Sequence, residues 1–325
     1  MARYAGVDLG ATNIRAVVGD ETGQVVSSRR TETPQGPTGI AVTEAILEVL
    51  RGACDAARTD PSEITAAGIG TFGPLDLAAG VVENPANLPD AIDTIPLTGP
   101  VSELIDSDSV HLHNDTTAGV IGERFYSERN PDDMVYLTIS SGIGAGVAVD
   151  GRVLTGWDGN AGEVGHMTVD PEGYMPCGCG IDGHWEAYCS GNNIPMYAGH
   201  LLEDDPVDTA LDPDDSDFSA VDVFSAANDG DTFAQEVLDR VGRWNTIGVA
   251  NLVHAYAPLV IYVGGAVTLN NPEWTLDPIR ESIGEMVMSN VPDIQKTTLG
   301  NDVVVKGALA SALTGGTGDR RDFER

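Results

Sequence analysis

Gly162-Glu163-Val164-Gly165-His166, ten further residues, then Cys177-Gly178-Cys179-Gly180-Ile181-Asp182-Gly183-His184-Trp185-Glu186-Ala187-Tyr188-Cys189-Ser190-Gly191: this stretch organises the chain. It holds three of the four cysteines and two of the six histidines. Thiolates and imidazoles gathered over so short a span suit a tetrahedral zinc site. The intervening glycines let the chain fold back around a small ion without steric cost. His166, Cys177, Cys179 and His184 read as a structural Cys2His2 site. A closed site leaves no open position for chemistry, so the metal is assigned to architecture, holding Glu163, His166 and Glu186 in a fixed arrangement. Scattered thiols of a reducing compartment are the bland alternative, and the clustering speaks against it.

Outside that stretch the chain repeats an arrangement. Tyr4–Val7 reads as a strand entering Asp8-Leu9-Gly10-Ala11-Thr12-Asn13, and Ile14–Val18 follows as a second strand. A Gly-Ala-Thr turn between strands aims backbone N–H groups and a hydroxyl at one spot, a phosphate cradle without a helix. Asp8, at the strand end, is a candidate to hold Mg2+ through water. Later, the strand Met134–Ile139 enters the glycine-rich turn Ser140–Gly146, and an Asp150-Gly151 hairpin follows. Two such units predict two α/β domains facing each other across a cleft, each offering one phosphate turn. The pairing resembles the actin-like (ribonuclease H-like) fold. The expected division is a small domain over 1–117, rejoined by a C-terminal helix within 303–325, and a large domain over 118–302 carrying the zinc stretch.

The remaining elements are read from periodicity. A helix is expected over Gly39–Arg58 with Ile40, Ile46, Val49, Leu50, Ala53 and Ala57 on one side. A buried strand follows over Ile64–Ile69. Gly68–Gly73 matches G-x-G-x-x-G, but Pro74 comes next and no apolar helix opens, so a dinucleotide site is rejected. Residues 73–100, with Asn84 and Asn87, read as a long functional loop. A strand ends at His113 and a helix starts near Thr116. Between them Asp115 is either an N-cap or a general base with Asn114 beside it. Residues 203–222 read as an acidic surface insert, and Asp231–Ala257 as a long helix burying Phe233, Val237, Val241, Trp244, Ile247 and Leu252. Leu259–Val263 is a buried strand whose exit, Gly264-Gly265, permits close approach of a flat ligand. A helix is expected over Leu276–Met288, a strand over Val303–Val305, a helix over Gly307–Leu313, and a disordered tail after Gly315.

Glu-x-Gly-His followed by Cys-x-Cys-Gly-x-x-Gly-Cys-x-Glu is the signature of the ROK family of sugar kinases and sugar-responsive repressors, which this chain resembles. Asp8–Asn13, Asn114–Asp115, Ser140–Gly146, Glu163–Glu186 and Gly264–Gly265 stand in the family's order over nearly the whole chain. The third cysteine of the pattern is His184 here, and Cys189 stays open as a replacement ligand. Asn13 stands where many members have lysine. The resemblance implies ATP-dependent phosphorylation of a hexose at its 6-hydroxyl, glucose being favoured, with N-acetylhexosamines or other hexoses as alternatives. It implies Asp115 as the base, with Asn87, Asn114, Glu163, His166 and Glu186 reading the sugar. Asp8, Gly10, Ala11, Thr12 and Asn13, with Ser141, Gly142 and Gly144, would meet Mg2+ and the phosphates, and Gly264 and Gly265 the adenosine. A homodimer or homotetramer is expected.

The totals narrow the partners. Fifty acidic residues against 17 basic ones give a net charge of −33, and Lys296 and Lys306 are the only lysines. Such a field excludes nucleic acid as a natural partner. Disorder, the usual reading of an acidic chain, fails because 42% of residues are hydrophobic and their runs are periodic. An acidic coat of this kind resembles proteins of extreme halophiles, where salt screens self-repulsion. No apolar run reaches membrane-span length, no signal peptide is read, and a cytoplasmic enzyme is expected. A repressor of the family would carry a helix-turn-helix ahead of the first motif. A non-enzymatic actin-like or chaperone ATPase has no use for the zinc stretch. Neither lysine follows a glycine, so there is no Walker A loop, and Gly316–Asp319 only imitates a ribokinase anion hole.

Overall fold

The computed structural model describes residues 2–85 and 88–323, so Asn87 lies outside the described residues. Alternation builds the first sheet. In β1 (Arg3–Leu9), Ala5, Val7 and Leu9 are buried on one face, where they meet Val42, Ile46, Leu50 and Ala53 of α1 (Gly39–Ala57). Ile40, expected on that buried side, is 53% exposed. At about 100° per residue, position 40 falls off the stripe that Val42, Ile46, Val49, Leu50 and Ala53 bury. β2 (Asn13–Asp20) and β3 (Val25–Glu32) continue the meander antiparallel to β1. β4 (Ile64–Thr71) lies parallel on β1's other side, followed by β8 (Val110–Asn114), giving the order 3-2-1-4-8.

The opposite face of that sheet is covered by α11 (Val303–Thr314). Val303-Val304-Val305, expected as a strand, is the first turn of this helix. Ten of its twelve residues are buried, and a helix apolar all round shows no period that separates it from a strand. It lies between the sheet and α3 (Asp115–Tyr126). The approach is at backbone distance: a methyl on Gly68 would meet Ala308 O at 2.0 Å, and one on Gly307 would meet Ala118 O at 1.8 Å. No side chain fits at either place unless α11 moves.

Residues 73–100, expected as a loop, form a small antiparallel sheet of β5 (Leu75–Asp76), β6 (Val81–Glu83) and β7 (Thr94–Pro96), leading into α2 (Thr98–Ile105). Its strands are two or three residues long, too short for an alternating pattern to register.

The second sheet repeats the first. β9 (Met134–Ile139), β10 (Ile143–Val149), β11 (Arg152–Val153), β12 (Val260–Gly264) and β13 (Asp293–Lys296) stand in the order 11-10-9-12-13. β10 and β11 are antiparallel, β12 and β13 parallel. Meander first, parallel strands after, in the same order twice: the α/β actin-like expectation is borne out. The helices here are α4 (Glu186–Cys189), α5 (Ile194–Asp204), α6 (Ala220–Asn228), α7 (Thr232–Tyr256), α8 (Ala266–Asn270), α9 (Pro272–Thr275) and α10 (Asp277–Met286). Asp231 caps α7 by accepting the Ala234 N–H.

By internal contacts the chain forms two compact units. One takes the chain through Tyr136, Gly146–Gly162 and residues from Thr298 on; the other takes Leu137–Ala145 and Glu163–Thr297. The tail after Gly315, expected to be disordered, is fastened within the first unit. Arg124, fully buried, donates to the carbonyls of Pro131, Gly151 and Thr317 and pairs with Asp132 and Asp319. Asp319 also accepts from Asn130, and a short α12 (Arg320–Phe323) follows. A buried guanidinium requires such partners, and the tail supplies two of them. Among the described residues no helix is long and apolar enough to cross a membrane.

Candidate active site

In the first unit, register brings the functional side chains together. Asp8 pairs with Gly70 and Gly70 with His113; Leu9 pairs with Thr71 and Thr71 with Asn114. The carboxyl ends of three adjacent parallel strands therefore present Asp8, Thr71, Asn114 and Asp115 side by side, the usual place for ligands in open α/β sheets. Burial pushes the Asp8 carboxyl up to about 7; Arg15 pulls it down, while Asp115 and Asp302 raise it. Arg15 is itself held by Asp302 at 2.5 Å. A carboxyl so placed favours a proton or a cation.

Asn114, not Asp115, is the N-cap of α3: its Oδ1 accepts from Thr116 N at 3.0 Å and Thr116 Oγ1 at 2.7 Å. Asp115 is the first helical residue and accepts Thr116 N at 2.8 Å. The capping alternative for Asp115 thus falls to its neighbour. Thr71 was not anticipated. Its Oγ1 is buried without a protein hydrogen-bond partner, which calls for a ligand or water. It belongs to the Gly68–Gly73 run, whose rejection as a dinucleotide motif hid its last strand residue.

The first turn is closed locally. Gly10 N donates to Asn13 O at 2.9 Å, Thr33 N to Thr12 O at 2.9 Å, and Thr33 Oγ1 to Gly10 O at 2.7 Å. Gln35 donates to Ala11 O, and Asn13 Oδ1 accepts from Arg30.

In the second unit, Ser140 N donates to Gly142 O at 2.8 Å, making the second turn. Glu186 Oε2 accepts the Ile143 N–H at 2.7 Å. Gly265 has φ +88, and a methyl there would strike Ile139 O at 2.2 Å, so Gly264-Gly265 lies against the strand that feeds this turn. Gly144 follows inside β10. Glu163 precedes a short 3-10 turn, Val164–His166. Burial pushes its carboxyl up, His166 pulls it down, and Glu186 raises it. Glu163, His166 and Glu186 are thus brought together.

Among the described residues, one group of metal-type side chains gathers closely: the donor atoms of His166, Cys177, Cys179 and His184 all lie within 4.8 Å of one another. Cys177 Sγ is 3.6 Å from His166 Nδ1, and Cys179 Sγ is 3.2 Å from His184 Nδ1. Ligand atoms around tetrahedral zinc sit roughly 3.4–3.8 Å apart, so the donor set fits that ion. Two bridges, Thr168–His184 and Pro176–Asp182, bend the backbone into the knuckle that carries it. Cys189 lies elsewhere, fully buried in α4 with its Sγ on Val241 O of α7. A cavity of about 370 Å³ also opens in this unit, among Tyr174, Tyr188, Tyr197, Arg240 and Trp244; it holds none of the motif residues.

Known proteins resemble this chain over nearly its whole length. The model of the ROK family matches residues 4–314. A glucokinase of Pyrobaculum calidifontis is 34% identical over 96% of this chain and 95% of its own. The crystal structure of a ROK hexokinase from Thermus thermophilus aligns with a TM-score of 0.82 at 32% identity, over 95% of this chain and 97% of that one. A ROK family glucokinase from Streptomyces griseus, solved with glucose and AMPPNP, aligns at 0.74 with 30% identity, over 96% and 99%.

Proposed function

The chain belongs to the ROK family, and from that premise we propose that it transfers the γ-phosphoryl group of ATP to the 6-hydroxyl of glucose. The observation that carries the reading is the alignment of Asp8, Thr71, Asn114 and Asp115 at three adjacent strand ends, beside the similarity to glucokinases over nearly the full chain.

Phosphoryl transfer passes through a loose transition state, so positioning and charge stabilisation do most of the work. Asp115 accepts the proton of the attacking hydroxyl. Asn114, its Oδ1 committed to the helix cap, has its amide group free of that duty and donates to the sugar. The Gly10–Asn13 turn in the first unit and Ser141, Gly142 and Gly144 in the second receive the phosphates. Mg2+, when bound, supplies positive charge against the phosphate oxygens, and Asp8 is the residue to hold it. Glu163, His166 and Glu186 take the remaining hydroxyls. Zinc belongs to His166, Cys177, Cys179 and His184 as a structural ion. The acidic coat is read as a salt adaptation of a halophilic source.

The test is a panel of hexoses and N-acetylhexosamines with ATP and Mg2+, run from 0.05 to 3 M KCl with thermal melts alongside. Glucose should give the highest kcat/KM, and activity and melting temperature should rise with salt. No turnover of any sugar would sink the kinase reading. Faster turnover of an N-acetylhexosamine would replace glucose, and a flat melting temperature would remove the salt adaptation.

A further inference from the structure

We infer that Glu186 is a positioning residue for the second phosphate turn, so that one side chain serves the sugar and sets the loop for ATP. The inference rests on the kinase reading above. Its geometry lies wholly within the second unit.

A glycine-rich turn has little shape of its own. Here three residues of the turn are tied to one short segment around α4. Ile143 N donates to Glu186 Oε2 at 2.7 Å, Gly191 N donates to Ser140 O at 2.7 Å, and Asn192 N donates to Ser141 O at 3.3 Å. Gly142 completes the fit: a methyl there would lie 2.7 Å from Glu186 Oε2. Glycine at 142 is therefore needed for the carboxylate to reach the turn.

The segment that grips the turn is rigid. Trp185 is fully buried, its Nε1 donates to Asn245 of α7 at 2.9 Å, and its backbone N donates to Met167 O at 3.0 Å. Met167 follows His166, and Trp185 follows His184, both members of the metal-type group. The Cys2His2 knuckle thus braces α4 directly and the phosphate turn through it.

A carboxylate has two oxygens. With Oε2 on the Ile143 amide, Oε1 is left to meet a hydroxyl. A sugar that orders Glu186 also orders the turn, and linkage makes the effect reciprocal: glucose should tighten nucleotide binding, and nucleotide should tighten glucose binding.

The experiment is calorimetric titration of a non-hydrolysable ATP analogue with Mg2+, with and without glucose, on the full chain. Glu186→Ala should weaken analogue binding about tenfold or more in the absence of sugar, the loss of a hydrogen bond to a charged acceptor. Glu186→Gln keeps an acceptor oxygen for Ile143 N and should stay within about threefold. Gly142→Ala, whose methyl displaces only a flexible carboxylate, should behave like Glu186→Ala, and the two changes should not add. Analogue affinity unchanged in Glu186→Ala, with sugar affinity lost, would overturn the inference, leaving Glu186 a sugar reader alone. If Glu186→Ala does not fold, wild-type analogue affinity in Gly142→Ala overturns it equally. A wild type that binds no analogue at all would instead overturn the kinase reading.

Discussion

The two turns proposed to receive the phosphates sit at the ends of equivalent strands, yet they are held by different means. Gly10–Asn13 is closed by its own backbone and by Thr33 and Gln35, a short distance on in the chain. Ser140–Ile143 is held by Glu186, Gly191 and Asn192, from far along the sequence, and these are braced by the knuckle of cysteines and histidines. The first turn carries its support with it. The second depends on a distant segment and, through it, on the Cys/His knuckle proposed to hold zinc. The first unit also carries the proposed base, so the two turns should fail in different ways.

The largest expected effect is chemical. Asp115→Asn should lower kcat by roughly 10²–10⁴ while sugar affinity stays within about tenfold, read by steady-state kinetics and calorimetry. If more than about a tenth of kcat survives, Asp115 merely opens α3, and the first unit loses its chemical role.

Metal loss should reach the second turn and spare the first. The protein should carry about one zinc per chain, lost in His184→Ala and retained in Cys189→Ala, because Cys189 faces Val241 instead of the group. Chelated protein should bind the ATP analogue about tenfold more weakly. Elemental analysis and titration on the same samples check both. Zinc retained in His184→Ala but lost in Cys189→Ala would move the fourth ligand. Zinc removed with no change in nucleotide affinity would erase the contrast between the turns.

A smaller effect distinguishes the first unit through pH. Burial lifts Asp8 to about 7 from 3.8. In metal-free protein the folded chain therefore keeps a proton that the unfolded chain has released. That stability is present below pH 3.8 and is lost as pH rises through about 7. His113 runs the other way. Burial holds it down to about 4 from 6.5, with Ser311 Oγ at 2.6 Å from its Nε2, so its contribution is present above 6.5 and is lost as pH falls through about 4. Asp8→Asn removes the first trend and leaves the second. Urea midpoints from about pH 4.5 to about pH 7.5 should climb more steeply in the variant than in wild type. Parallel curves would mean that Asp8 holds no such proton.

The smallest effect is at Thr33. Thr33→Val removes only the hydroxyl's bond to Gly10 O. The two backbone bonds of the turn remain, so stability should fall by about 1 kcal/mol and analogue affinity by less than about threefold. A tenfold loss of affinity would show that the first turn is no more self-supporting than the second.

The same distinction explains what could be read in the sequence. Asp8–Asn13, Ser140–Gly146 and the Cys/His knuckle were legible because their chemistry is local: turn residues and ligand types stand next to one another. The family pattern singles out Glu186, but its grip on Ile143 N spans 43 positions and leaves no local trace. Thr71 was passed over because strand register, not spacing, brings it beside Asp8 and Asn114. Val303–Val305 reads as a strand because a helix buried nearly all round carries no helical period. The tail reads as disordered because the buried Arg124 that fixes it lies far upstream.

Helix α11 has a consequence for how the protein is made. It packs on β1 and β4, the middle of a sheet whose last strand, β8, ends at Asn114, while the helix itself begins at Val303. At the ribosome's pace of roughly 5–20 residues per second, about ten to forty seconds separate the two. During that interval the face of β1 and β4 that receives α11 has nothing of its own to rest on. The earliest-made sheet must wait for nearly the latest-made helix, so the nascent chain passes through a period in which it needs shelter, and a pause or truncation before Val303 would leave the first unit without its lid.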